Sequence, residues 1–302
     1  ELRRTAQEAG IGQARAARIP TVGWESSATI HGDNDREMMD IHGVMARMPL
    51  YTGGAIKAGI REQEALYEQA THTLASVRDD VALNAASAYV GWFQASISVK
   101  LAEKNVEVVG KIVDDVKTVA DADPGRRADY DQAVVRHAKA QQELDRQRSI
   151  LGQTEASYRR YFGVSPPIRA GLDEAMGLDD ARLEGAVPQT LTVALSRANQ
   201  HPRIAEAQAA WTAAFQGVAK AKSQLKPQVG VAVGSGDGGN VQLTFSWKGF
   251  DVAARRGVSV ASANAEAGKY EVADARLRVE EDVRKAWAEM EGASQRQAPA
   301  IT

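Results

Sequence analysis

A helical pattern of apolar residues, roughly 65 residues long, is the feature that most limits what this chain can fold into. From about position 55 to 121, apolar residues recur at steps of three and four, as at Leu74, Val77 and Val81. At about 1.5 Å per residue, a helix of this length would extend on the order of 100 Å. Because ordinary globular helices are far shorter, the pattern predicts a long rod.

An Asp-Pro-Gly turn at positions 123–125 interrupts this pattern, and a second helical pattern follows at Tyr130–Phe162. Proline disfavours helical geometry in the residue before it, and glycine tolerates the left-handed backbone that ends many helices. Asp129 and Gln132 have the spacing of a capping box, so Asp129 is predicted to cap the returning helix. The two helices are therefore predicted to form a hairpin with a basic apex at Gly125, Arg126 and Arg127. A plain solvated turn between two helices would have the same polar composition.

Two pairs of short segments have the alternating pattern of half-buried strands. The first pair covers about residues 21–30 and 38–48, and the second covers 229–233 and 241–247. Each segment has one apolar face, so the four are predicted to form two β-hairpins.

The order of helix, strand, turn, strand and long helix occurs twice in the sequence. Matched positions include Gly10 with Gly217, Pro20 with Pro227, Val22 with Val229, Val81 with Val279 and Tyr89 with Trp287. The second copy reaches Thr302 before a second Asp-Pro-Gly turn occurs, so the sequence as given is expected to lack a second helical hairpin. Because it begins at Glu1, it is expected to be a mature or trimmed fragment.

Composition argues against several classes of protein. The net charge of -2 and the isoelectric point near 6.3 give no reason to expect a nucleic-acid partner. No stretch of about 18 apolar residues occurs, which predicts the absence of a membrane-spanning helix. The chain has no cysteine, so disulfides, thiolate zinc sites and a lipidated N-terminal cysteine are not expected.

No catalytic, cofactor-binding or metal site is predicted, so the chain is not expected to be an enzyme. The glycine-rich segment 234–239 is followed by a strand and lacks the Lys-Ser/Thr of a phosphate loop, which favours a hairpin turn. Asp129 and Asp131 are two positions apart, so they would point to different sides of a helix. The five histidines lack paired metal-ligand spacing: His31, His42, His72, His137 and His201.

Four strands from one chain cannot close a barrel, and an open apolar edge promotes association. Strands of this length, tilted in a bilayer, can span its apolar layer. If several chains shared one barrel, the backbone hydrogen-bonding groups at every strand edge would be paired. A small soluble sandwich with attached helices is the alternative, although helices this long are unusual for a compact domain.

Several motifs resemble those of the TolC family of outer-membrane export ducts. They are MPLYTGG at 48–54, WKGFD at 247–251, ANQHPRI at 198–204, YRRYFG at 158–163 and DPGRRADYDQA at 123–133. The last of these is similar to the type I secretion branch that exports large adhesins.

The resemblance implies a mainly α fold with a small β part. It consists of a long antiparallel coiled-coil hairpin plus four amphipathic strands in a trimeric, twelve-stranded outer-membrane barrel. It also implies a Gram-negative outer-membrane location with a periplasmic helical extension. The chain would be a passive conduit for exported protein, working as a homotrimer with a periplasmic adaptor and an inner-membrane ABC transporter.

The resemblance assigns roles to two sets of residues. The adaptor-contacting tip would comprise Asp123, Pro124, Gly125, Arg126, Arg127 and Asp129. Lipid-facing strand residues would be Val22, Trp24, Ile30, Val241, Leu243, Phe245 and Trp247. Gating residues of the family usually lie on the second hairpin, so no gate residue is predicted.

The expected segments are a first β-hairpin region, a long helical hairpin, an equatorial connector, a second β-hairpin and the start of a second long helix. Their bounds are 1–54, 55–163, 164–224, 225–250 and 251–302. Two alternative functions stay open on the sequence: the outer-membrane duct of a multidrug efflux pump of the RND type, and a soluble coiled-coil scaffold.

Overall fold

A computed structural model describes residues 1–29, 39–167, 187–235 and 240–297 of the chain. Within these ranges the helices are α1 Leu2–Ala16, α2 Ala55–Ala122, α3 Arg127–Phe162, α4 Leu191–Ala198, α5 Pro202–Ser223 and α6 Val252–Gln297. The strands are β1 Thr21–Thr29, β2 Met39–Tyr51, β3 Gln228–Gly234 and β4 Asn240–Ser246. The predicted long helices and both predicted pairs of strands are therefore confirmed.

The chain divides into two compact units. The first comprises Glu1–Ser76 with Val187–Thr302, and the second comprises Val77–Ala186. Helix α2 contributes its first part to the first unit and its remainder to the second. The five-segment division expected from the sequence stays a prediction.

The first unit contains one antiparallel sheet with the strand order β1-β2-β3-β4. Its register aligns Val22 with Ala46, Ala46 with Val233, and Val233 with Val241. Directly opposed residues of antiparallel strands point to the same face. One apolar row therefore crosses all four strands.

Helices of the first unit pack closely because small residues lie between them. Gly268 of α6 lies so near α5 that an added Cβ would be 3.3 Å from the Trp211 ring. Ala209 and Ala213 of α5 are buried. Side chains of this size allow two helix backbones to approach closely. Ion pairs join helices at the start of α2. Lys220 of α5 pairs with Glu62 at 2.8 Å, and Arg15 of α1 pairs with Glu64 at 2.9 Å. The four side chains are exposed or partly exposed.

The second unit is a helical hairpin in which α3 runs antiparallel to α2. Trp92 of α2 meets Tyr158 of α3 with ring centroids 5.5 Å apart, and nearer the turn Arg148 pairs with Glu103 at 3.0 Å. Trp92 and Tyr158 are only 4% and 8% exposed, so aromatic rings form the core of this seam. Helix α3 ends as predicted at Gly163, whose left-handed backbone has a φ of 70°.

Candidate functional site

The described residues contain two surfaces that the sequence assigns to function. We refer to residues 123–129 as the tip and to one side of the four-stranded sheet as the apolar sheet face. The apolar sheet face consists of Val22, Trp24, Val44, Ala46, Met48, Val229, Val231, Val233, Val241, Leu243 and Phe245.

The tip contains a short 3₁₀ turn at Pro124–Arg126. Asp123 precedes the proline in an extended conformation, with φ and ψ of −132° and 99°, which confirms the predicted helix end. Its Oδ1 accepts a hydrogen bond of 3.0 Å from the Gly125 amide. The Asp123 carboxylate thus caps the turn that joins the two helices.

At the tip, the reason given for Gly125 does not apply, and the capping prediction for Asp129 is wrong. Gly125 does not have a left-handed backbone, because the 3₁₀ turn continues directly into α3 and needs no positive φ. Asp129 is not the cap of α3, because the helix begins two residues earlier at Arg127 and its cap position has no side-chain hydrogen bond. Asp129 lies instead in the first turn, where a carboxylate interacts favourably with the helix dipole.

All residues of the tip are exposed, and its two arginines have different surroundings. Arg126 Nε lies 3.6 Å from Asp129 Oδ2. Arg127 has no ion pair or side-chain hydrogen bond within the described part of the chain. The tip therefore combines one arginine that lies beside a carboxylate with one that has no such neighbour among the described residues.

A groove of about 460 Å³ runs between α2 and α3 behind the tip. Its apolar wall comes from α2 and includes Ile112, Val116 and Val119, while Arg126 and Asp129 form part of its charged wall. Arg127 does not line this groove. The two adjacent arginine side chains therefore lie on different surfaces of the tip, and only that of Arg126 lines the groove.

The apolar sheet face is exposed, although its residues are of the kind that soluble proteins bury. Val241 is 75% exposed and Trp24 is 71% exposed, and Val22, Leu243 and Phe245 are also mostly exposed. A contiguous apolar patch of this kind marks a surface that contacts lipid or another protein. Ile30, which was predicted to extend this face, lies outside the described residues.

The opposite side of the sheet carries small and polar side chains. Gly230 and the buried Ala232 lie there, flanked by Gln242 and Thr244 of β4. The Thr244 hydroxyl donates to the Gly230 carbonyl at 3.1 Å. The sheet is therefore amphipathic, as the alternation of residue types predicted.

Trp247 lies just beyond β4, and its indole nitrogen donates a 3.2 Å hydrogen bond to the Leu225 carbonyl. This bond orients the ring while leaving the side chain 60% exposed. A tryptophan with an apolar body and a bonded polar end suits the boundary between an apolar and an aqueous region. The sequence indicated its place in the alternating pattern but not this bond, because Leu225 belongs to a separate turn.

The described residues contain no group of three or more His, Cys, Asp or Glu side chains close enough to hold a metal ion. Within the same ranges, none of the helices combines the length and the apolar character needed to cross a membrane.

An exposed apolar strand face and a long helical hairpin on one chain are the features that the resemblance to outer-membrane ducts predicts. A model of the family described as outer membrane efflux protein matches residues 1–164, which is more than half of the chain. The chain therefore belongs to the outer membrane efflux protein family. No curated protein sequence matches it significantly.

Solved structures of outer-membrane channels share this fold. The outer-membrane channel OprN is 19% identical and has a TM-score of 0.79, and the match covers 99% of this chain and 72% of OprN. The outer membrane protein VceC from Vibrio cholerae is 15% identical with a TM-score of 0.77, over 98% of this chain and 75% of VceC. CusC, described for its transmembrane channel formation, is 16% identical with a TM-score of 0.73, over 99% of this chain and 74% of CusC. At these identities the likeness shows the fold.

Family membership defines the location and the general role of the chain. The family consists of transport ducts without enzymatic activity, located in the outer membrane with a helical extension into the periplasm. Its members form trimers and work with periplasmic adaptors and inner-membrane pumps.

Proposed function

We propose that this chain is the outer-membrane duct of a three-part type I secretion machine. Exported protein would pass from an inner-membrane ABC transporter, through a periplasmic adaptor and this duct, to the exterior. Three copies would contribute four strands each to one twelve-stranded barrel, and their paired helices would form the coiled-coil wall of a tunnel.

The exposed apolar sheet face is the observation that supports this proposal most. In water, each large side chain on that face would forgo about 1.5–3 kcal/mol of burial energy, so the face needs an apolar surrounding. The sheet also has two outer strands, β1 and β4, whose free edges need partners. Contact with lipid and pairing with sister copies would satisfy both needs. The residues that we assign to lipid are Val22, Trp24, Ile30, Val241, Leu243, Phe245 and Trp247.

The tip supports the choice of the type I secretion branch. Its sequence DPGRRADYDQA resembles that branch, and its compact capped turn leaves charged side chains exposed. We assign adaptor contact to Asp123, Pro124, Gly125, Arg126, Arg127 and Asp129. The partner pump would then be an ABC transporter.

A second candidate is the duct of a multidrug efflux pump of the RND type. The family description favours it, because it names efflux. The two candidates share the membrane surface and differ in the adaptor that the tip selects.

A binding experiment with two adaptors tests the choice. The chain, purified in detergent, would be immobilised and offered an adaptor from a type I secretion system and, separately, an adaptor from an RND pump. We expect the first to bind more tightly, and the double variant Arg126→Ala with Arg127→Ala to lose most of that binding. Lys139→Ala, an exposed change further along α3, is the matched control and should bind like the unmodified chain.

Tighter binding of the RND adaptor would favour the efflux candidate. Unchanged binding by the double variant would contradict the assignment of the tip. A chain that stays monodisperse without detergent and shows no affinity for lipid vesicles would contradict both duct functions and favour a soluble scaffold.

A further inference from the structure

The two adjacent arginines of the tip differ in what their side chains already contact. Arg126 faces Asp129 at 3.6 Å and lines the groove between α2 and α3. A surface ion pair at this distance is worth little energy, but it places a carboxylate beside the guanidinium. Arg126 is thus engaged within its own hairpin.

Arg127 is exposed and its guanidinium has no ion pair or hydrogen bond in the described part of the chain. Its backbone, in contrast, is well fixed. The Arg127 amide donates to the Pro124 carbonyl, and its φ and ψ of −59° and −36° are helical. An uncompensated cation therefore projects from a rigid support.

That support consists of short-range restraints on the backbone. Proline fixes its own φ, the Asp123 carboxylate holds the Gly125 amide, and the Arg126 amide donates to the Asp123 carbonyl at 3.0 Å. Because the backbone of this turn is already ordered, a partner that binds Arg127 needs to order only its side chain.

We propose that Arg127 is the specificity contact of the tip and binds a carboxylate on the adaptor, whereas Arg126, beside Asp129, contributes little to the binding energy. This inference rests on the proposed docking of the tip to an adaptor. A guanidinium presents a planar set of donors that matches a carboxylate in two parallel hydrogen bonds. An aspartate or glutamate side chain is the protein group that supplies this acceptor, so the adaptor surface facing Arg127 is acidic.

The inference is tested by charge reversal on both partners, with the full chain in detergent and its purified cognate adaptor as the probe. Arg127→Glu should weaken binding by roughly 100-fold or more, since it removes an attraction and adds a repulsion. Arg127→Lys keeps the charge without the planar donor set and should weaken binding by about 10-fold. Arg126→Ala should weaken it by no more than about threefold, because it removes only a surface ion pair.

Lys139→Glu, an exposed charge reversal further along α3, is the control for general electrostatic effects and should leave binding unchanged. Changing the acidic residues of the adaptor's docking surface to arginine, one at a time, should identify one change that restores binding to the Arg127→Glu chain. Circular dichroism of each variant checks that the hairpin is folded.

The results separate this inference from the proposed function. If the unmodified chain does not bind the adaptor, the proposed docking of the tip is wrong and this inference is wrong with it. If the unmodified chain binds and Arg127→Glu binds equally well, only the specificity contact is wrong. Two further results would overturn the specificity contact. One is a loss of binding by Arg126→Ala as large as that of Arg127→Glu. The other is that no charge-reversed adaptor restores binding to the Arg127→Glu chain.

Discussion

The four-stranded sheet and the helical hairpin place their large apolar side chains in opposite ways. In the hairpin, Trp92 is 4% exposed and packs against Tyr158 of the facing helix. In the sheet, Trp24 is 71% exposed and lies on the apolar sheet face. The same residue type is thus a core residue in one region and a surface residue in the other. The hairpin buries its own large apolar side chains, whereas those of the apolar sheet face stay exposed within the described part of the chain.

The largest effect is expected from Trp92→Ala, which would remove the central ring of the hairpin seam. Truncation of a buried tryptophan typically lowers the free energy of unfolding by about 3–5 kcal/mol. Trp24→Ala is the matched variant in the sheet, and in detergent it should change the free energy of unfolding by less than about 1 kcal/mol, because the ring is mostly exposed. Thermal unfolding followed by circular dichroism measures both, and equal losses would remove the contrast between the two regions.

For membrane affinity, the larger effect is expected in the sheet and not in the hairpin. Phe245→Ser on the apolar sheet face should weaken partitioning into lipid vesicles by about 2 kcal/mol, the transfer energy of one large apolar side chain. The change should leave the helical circular dichroism spectrum of the chain unchanged. Flotation of vesicles with bound protein measures the partitioning.

Thr244→Ala is the control for this change, because Thr244 neighbours Phe245 but lies on the polar side of the sheet. Equal partitioning of the unmodified chain and the Phe245→Ser variant would show that the face does not contact lipid.

An effect of similar size is expected at the turn where β2 leads into α2. Gly53 has a φ of 63°, and an added Cβ would lie 2.7 Å from the Ser223 carbonyl oxygen. Gly53→Ala should therefore lower the free energy of unfolding by about 1–3 kcal/mol through backbone strain and a steric clash. Gly163 has a similar φ of 70° and no neighbouring atom within 4 Å of an added Cβ.

Gly163→Ala consequently isolates the strain from the clash and should cost less than Gly53→Ala. Thermal unfolding of the two variants gives the comparison. The contact with Ser223 would be refuted if the two losses were the same.

The smallest effect concerns pH and the outer surface of α3. Hydrogen bonds from Arg146 and Gln147 lower the pKa of Glu143 from 4.5 to about 2. Because the pKa is lowered in the folded state, this carboxylate adds stability above pH 4.5 and loses that contribution as the pH falls towards 2. Its exposure keeps the contribution small.

The expected result is that the unmodified chain is slightly more stable than Glu143→Gln near neutral pH and that the difference disappears on acidification. Melting temperatures measured across this pH range supply the test. If the difference in melting temperature did not depend on pH, the ion pair of Glu143 would not be its cause.

The sequence predicted elements whose signal is periodic and local. The alternation in β4 and the steps of three and four in α2 predicted both elements, because burial of one face imposes that spacing. Pro124 predicted the helix end at Asp123 correctly, because its effect reaches only the preceding residue. The capping role of Asp129 was wrong, because the 3₁₀ turn at Pro124–Arg126 starts the next helix early.

Contacts between distant parts of the chain could not be predicted in this way. Nothing in the local pattern places Gly53 against Ser223, or the Trp247 indole against the Leu225 carbonyl. The difference between Arg126 and Arg127 was also missed. It depends on which arginine reaches Asp129, and the sequence indicates only that both are polar residues in a turn. The roles of the tip and of the lipid-facing residues stay predictions.

The approach of Gly53 to Ser223 also connects the two copies of the internal repeat. Gly53 belongs to the first copy of the duplicated unit, whereas Ser223 and Lys226, the residues an added methyl group would meet, belong to the second. A larger residue at position 53 therefore fits without a clash only if these residues of the other copy shift. The two copies of the repeat are thus coupled at this contact, because the room for a side chain in one copy depends on the backbone of the other.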